Sequence, residues 1–85
     1  MPKYRKKPLE VEAIQWTGDN LSDIVEFAGD KVQWFKLSES DGIRLSIDTL
    51  EGSVIVSKDD FIIRGVVNEL YICKPFVFEK TYEPV

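Results

Sequence analysis

The chain has 85 residues, 44% of them hydrophobic and 31% charged, with a formal net charge of −4. This length and apolar content predict one globular domain spanning residues 1–85 and exclude an intrinsically disordered chain. With no histidine and one cysteine, the chain cannot form an internal disulfide, a structural zinc site or a histidine-based catalytic triad. We therefore expect a protein that is not an enzyme and has no catalytic residue, metal site or cofactor.

The charges are unevenly distributed along the chain. Residues 1–8 hold four of the eleven basic residues, and we interpret them as a solvated basic leader. Residues 9–85 hold the other seven and all fifteen acidic residues, a net charge of −8. Such a body repels a phosphate backbone, so nucleic acid is not an expected partner. No apolar run reaches the roughly 20 residues of a membrane span, so we expect no membrane partner. The lone cysteine fits a reducing compartment, so we expect a cytoplasmic protein.

The first half of the chain predicts a strand, a helix and a second strand. Alternating apolar and polar residues over 9–16 indicate the first strand. Apolar residues then recur at helical spacing from Leu21 to Ala28, which predicts one short helix over about residues 20–28. Gly29 follows, where a left-handed residue commonly ends a helix. Residues 32–37 form the next predicted strand.

Residues 43–57 predict a β-hairpin. Its turn residues are Glu51 and Gly52, and a two-residue loop there would pair Leu50 with Ser53. This register places one set of apolar side chains on a single face. The members of that set are Ile43, Leu45, Ile47, Val54 and Val56.

Residues 61–73 predict a second hairpin, followed by a short tail. In our register Arg64 faces Tyr71 and Ile63 faces Ile72, and Asn68 supplies a positive φ in the loop. Pro75 would start one helical turn over residues 76–80, and residues 81–83 would form a last short strand. Together these elements predict an α+β domain. It would be a small, strongly curved antiparallel sheet or half-barrel of about five to six strands with the helix packed on it.

Five residues are candidates for a ligand- or partner-binding site. Arg64 and Tyr71 would form a cation stacked on a ring, or else an ordinary cross-strand pair. Trp16 and Trp34 would line a pocket or belong to the core. Phe35 is next to Trp34 in a strand, so the two must point to opposite faces. The turn aspartates 41, 59 and 60 and the lone Cys73 are expected to have structural roles only.

Self-association is the expected consequence of the two adjacent aromatics. Because Trp34 and Phe35 cannot both face one core, and because a small sheet has unpaired edges, we predict a homodimer. A cleft at the seam of such a dimer would offer a place for a small ligand.

Three stretches resemble a family of small proteins encoded by tailed bacteriophages and prophages. They are YRKKP (4–8) with VEAIQWTG (11–18), TLEG (49–52), and DFIIRG (60–65) continuing to CKP (73–75) and FEKTYEP (78–84). The family has Gly-Asp where this chain has Asp59-Asp60, and glycine where it has Asn68. The resemblance implies a phage-derived protein made in the cytoplasm of a bacterial host cell, and it carries over no site residues.

These observations predict a non-enzymatic phage accessory protein that binds a host or defence protein. An acidic body suits such a role because it can occupy the basic, nucleic-acid-binding groove of a host protein. One alternative is a protein that binds or sequesters a small molecule such as a nucleotide signal. The other is a structural or assembly component of the virion.

Overall fold

The computed structural model describes residues 2–5, 7 and 9–85. Six strands and two helices, with one 3₁₀ turn, make up its regular structure. In chain order they are β1 (Glu12–Gln15), α1 (Leu21–Ala28), the 3₁₀ turn (Gly29–Lys31), β2 (Val32–Ser38), β3 (Gly42–Thr49), β4 (Gly52–Val56), β5 (Phe61–Arg64), β6 (Leu70–Cys73) and α2 (Pro75–Thr81). The domain is therefore α+β.

The strands form two separate antiparallel sheets. Sheet A has the order β1-β5-β6, and sheet B has the order β2-β3-β4. The prediction of one curved sheet or half-barrel is wrong in the number of sheets, although the six strands and the helix near residues 20–28 are as predicted. The corner before β5 explains the difference, because the Asp59 N–H donates to the Trp16 carbonyl (2.6 Å) and the Trp16 N–H donates to the Asp60 carbonyl (2.9 Å). These bonds tie the corner to the end of β1, so β5 pairs with β1 and does not extend sheet B.

The helix α1 lies where the sequence predicts it. Ile24 and Ala28 are its buried residues, and Gly29 ends it with φ of 61°. The side chain of Asn20 does not cap the helix. Its Oδ1 accepts the Thr17 N–H (3.0 Å) and its Nδ2 donates to the Gln15 carbonyl (2.8 Å), so it closes the loop between β1 and α1.

The hairpin of β3 and β4 keeps its predicted face but changes its register. Ile47 pairs with Val54, where the sequence suggested Val56, because the loop is Leu50-Glu51 and Gly52 already begins β4. A slip of two residues leaves every side chain on its original face. Leu45, Ile47 and Val56 accordingly lie in the core.

The hairpin of β5 and β6 is shifted by one residue from the prediction. Arg64 pairs with Leu70 and Ile63 with Tyr71, so the predicted Arg64–Tyr71 pair is wrong and these two side chains lie on opposite faces. The cause is a three-residue loop whose last residue, Asn68, has the predicted positive φ (67°). The predicted register of Arg64 with Tyr71 corresponds to a loop of four residues, 66–69.

The main core lies between the two sheets and α1. Its buried members are Trp16, Ile24, Ala28, Leu45, Ile47, Val56, Ile62 and Leu70. The other face of sheet A carries α2, where the Phe78 ring stacks on Phe61 at 3.8 Å between centroids. Pro75 begins α2 as predicted, but the helix runs to Thr81, and Tyr82 ends it where a last strand was predicted. Neither helix in the described part of the chain has the length and apolar character needed to cross a membrane.

Candidate protein-binding site

Three of the five predicted site residues have structural roles. Trp16 is 3% exposed and belongs to the main core. The Arg64 guanidinium lies 4.4 Å from the centroid of the Phe27 ring, donates to Glu12 Oε1 (2.9 Å) and also donates to the Phe27 carbonyl. It therefore fastens the end of α1 to sheet A.

The third of these residues, Tyr71, pairs with a second tyrosine. Its hydroxyl lies 3.1 Å from the Tyr82 hydroxyl, which joins β6 to the end of α2. Burial, followed by the hydrogen bond and the charge of Tyr82, raises the pKa of Tyr71 to about 12. Tyr71 stays a neutral hydrogen-bonding group across the physiological range and has no use as an acid or base there.

The remaining two residues lie on an edge strand and are both exposed, whereas the sequence required only one of them to lie outside the core. Trp34 and Phe35 point to opposite faces of β2 and are 50% and 54% exposed. Leu37 follows them at a register irregularity and is also exposed. The Phe35 ring has the Arg44 guanidinium 5.9 Å from its centroid. We refer to Trp34, Phe35 and Leu37 as the β2 surface.

The backbone of β2 adds to this surface hydrogen-bonding groups that pair with no other described strand. The Leu50-Glu51 loop closes on the pair Thr49–Gly52, so the backbone groups of Thr49, Ile47 and Leu45 form hydrogen bonds to β4. The alternate residues of β3, at even-numbered positions, form their backbone hydrogen bonds to β2. Arg44 is one of the latter, and its partner is Phe35. The N–H and C=O of Trp34 therefore point away from β3, to the free edge of sheet B.

A cleft of about 530 Å³ lies at the opposite edge of the fold, between the β3–β4 loop region and β6. Residues 49–54 and 69–72 line it, and we call it the β6 cleft. Its charged residues are Glu51 and Glu69, and Leu50 and Val54 are exposed apolar residues beside them. The Glu69 carboxylate accepts the Val67 N–H (3.2 Å), which holds it beside the β5–β6 loop.

The backbone of β6 also points into this cleft. The Gly65 N–H donates to the Glu69 carbonyl (2.8 Å), so the next hydrogen-bonded pair along the hairpin includes Tyr71. The backbone N–H and C=O groups of Leu70 and Ile72 must then point away from β5, to the free side of sheet A, and both residues line the cleft. Within residues 2–5, 7 and 9–85, no strand pairs with that edge.

One ion pair with a buried carboxylate was not predictable from the sequence. The Asp60 side chain is 3% exposed, and its two oxygens lie 3.0 and 3.2 Å from Lys74 Nζ. Its Oδ2 also accepts the Ser57 N–H (3.0 Å). A turn aspartate carries no sequence signal of its distant partner, so this pair is visible only in the fold. It fastens the corner before β5 to the start of α2.

The described residues contain no group of three or more Cys, Asp or Glu side chains arranged to hold a metal ion. Comparisons with protein-family models, with curated proteins and with solved structures find no match to this chain.

Proposed function

We propose that the chain is a non-enzymatic phage accessory protein that binds a host or defence protein through the β2 surface. The observation that carries this proposal is the exposure of Trp34, Phe35 and Leu37 together on one edge strand. An edge strand with exposed apolar side chains is a site for pairing with another chain, and folded proteins normally cover or charge such edges. The charged residue of β2 is Lys36, which pairs with Glu39 (2.8 Å). Large aromatic residues are also the side chains that contribute most to binding at protein interfaces.

The charge of the chain supports one kind of partner. Residues 9–85 have a net charge of −8, so a partner with a basic surface gains electrostatic attraction during encounter. A host protein that binds nucleic acid has such a surface. The phage origin rests on the sequence stretches that resemble phage proteins, and the β2 surface supports binding whatever the origin.

Affinity purification from infected bacteria tests the proposal with two matched variants. One replaces the β2 surface (Trp34→Ser, Phe35→Ser, Leu37→Ser), and the control replaces the exposed loop residues Val66 and Val67 with serine. Wild type and control should capture the same protein. The purified partner should then bind the β2 variant at least ~30-fold more weakly than wild type, as expected for the loss of about 2 kcal/mol at an interface centre.

Three outcomes would contradict the proposal. Equal affinity of the partner for wild type and the β2 variant would exclude the β2 surface. A small molecule that co-purifies and raises the melting temperature, with no protein captured, would support a ligand-binding protein. Stoichiometric recovery of the chain in purified phage particles would support a virion component.

A further inference from the structure

We propose that the β6 cleft binds the basic leader of a second copy of this chain, which adds to sheet A as an extra strand. The proposal concerns a different edge from the β2 surface and does not depend on the function proposed above. It rests on three observations: the direction of the β6 backbone, the charges of the cleft and the path of the chain before β1.

The direction of the β6 backbone suits the β6 cleft to an extended peptide. The N–H and C=O groups of Ile72 point into it, and an extended peptide alongside would satisfy them with regular antiparallel or parallel bonds. Those of Leu70 point the same way at the buried end of the cleft, where Leu70 is 2% exposed. The strand β6 has four residues, so it is about 13 Å long and matches about four to five residues of an extended peptide. Exposed Val54 and Leu50 would be covered by such a peptide.

The charges select a basic peptide. Glu51 and Glu69 line the β6 cleft, and none of the described lining residues is basic. The leader has the complementary character, because Lys3, Arg5 and Lys7 alternate and would lie on one side of an extended strand. The described leader residues are exposed and lie outside helices and strands, so their backbone is available for pairing.

The path of the chain indicates that the leader comes from a second copy. β1 forms the edge of sheet A opposite to β6. The residues just before it, 9–11, share a cleft of about 610 Å³ with residues 81–85 at the end of α2. The chain therefore enters β1 on the side of sheet A that carries α2, away from the β3–β4 loop. Two copies can exchange leaders reciprocally about a two-fold axis, which satisfies both β6 edges.

A charge-exchange experiment with the full chain tests this inference by analytical ultracentrifugation at tens of micromolar. The leader variant carries Lys3→Glu, Arg5→Glu and Lys7→Glu. The cleft variant carries Glu51→Lys and Glu69→Gln, and the glutamine keeps an oxygen for the Val67 N–H. We expect wild type to dimerise, each variant alone to dimerise at least ~10-fold more weakly, and an equimolar mixture of the two to recover the dimer. Lys80→Glu, an exposed change on α2, is the control and should dimerise as wild type does.

Amide hydrogen exchange read by NMR locates the interface. The amides of Leu70 and Ile72 should exchange at least ~10-fold more slowly in wild type than in the leader variant, and the Trp34 amide should be unchanged. A monomeric wild type of 9.8 kDa would overturn the inference. So would a dimer that is indifferent to both variants, or one that protects Trp34 and leaves β6 unprotected. The last result would instead place the second copy on the β2 surface.

Discussion

The ion pair between Asp60 and Lys74 allows a quantitative test of what holds the corner before β5. The two partners are unequally buried, since the Asp60 side chain is 3% exposed and the Lys74 side chain 57%. Removing one partner therefore has a different consequence from removing the other. Lys74→Met leaves a buried carboxylate with the Ser57 N–H as its remaining partner, whereas Asp60→Asn leaves an ammonium that water can solvate.

The magnitudes follow from this asymmetry. Leaving a buried charge without its counter-ion costs about 3 kcal/mol or more, so Lys74→Met should lower the free energy of unfolding by about 3 kcal/mol. Asp60→Asn keeps an oxygen acceptor for Ser57 and loses mainly a half-exposed ion pair, which is worth about 1 kcal/mol. The double variant has no buried charge, so its loss should be close to that of Asp60→Asn alone.

Urea unfolding at pH 7, followed by tryptophan fluorescence, measures all three variants against wild type. The decisive comparison is between Lys74→Met and the double variant. If adding Asp60→Asn to Lys74→Met restores about 2 kcal/mol, the buried carboxylate is the source of the loss. If the double variant loses as much free energy of unfolding as the two single variants together, this reasoning is refuted, because the two side chains then act independently.

Two further predictions concern the backbone and pH. Asp59 has φ of 75°, so Asp59→Gly should raise the free energy of unfolding by about 0.5–1 kcal/mol, whereas Lys58→Gly at the neighbouring position should lower it by a similar amount. Urea unfolding measures both variants, and a lower free energy of unfolding in the Asp59 variant would contradict the argument. Because the Tyr71 pKa is raised from 10.0 to about 12 by burial and by Tyr82, the folded state holds this proton more tightly than the unfolded chain. The resulting stability is complete below about pH 10 and is lost between about pH 10 and 12. Measured by urea unfolding across that window, the free energy of unfolding should fall less steeply with pH for Tyr71→Phe than for wild type. Identical pH dependence of the two proteins would contradict the attribution to Tyr71.

Local features of the fold were predictable from the sequence. The helix α1 follows from apolar spacing and from Gly29, and the positive φ of Asn68 follows from its place in a hairpin loop. The opposite orientations of Trp34 and Phe35 follow from strand geometry alone. In each case the residues that determine the feature lie within a few positions of one another, so the local sequence is enough to predict it.

Long-range features were not predictable in the same way. The pairing of β1 with β5 joins residues such as Ala13 and Ile63, and no local pattern indicates it. The Asp60–Lys74 pair likewise depends on how the chain turns between them. An error of one residue in a loop length placed Arg64 and Tyr71 on the same face, although the structure puts them on opposite faces. Of the candidate site, the opposite orientations of Trp34 and Phe35 could be anticipated from their adjacency, which places one of them outside the core. The exposure of both depends on how little of β2 the rest of the fold covers, and adjacency does not indicate it.

The division into two sheets connects the fold to the kind of function proposed. One sheet of six strands would have two edges, and a closed barrel would have none. Two sheets of three strands have four, namely β1, β2, β4 and β6. The corner at Asp59 and Asp60 creates this division by directing β5 to β1. A chain too small to enclose a deep cavity thereby gains exposed backbone on two sides, and edge pairing with another polypeptide becomes the interaction that its architecture favours.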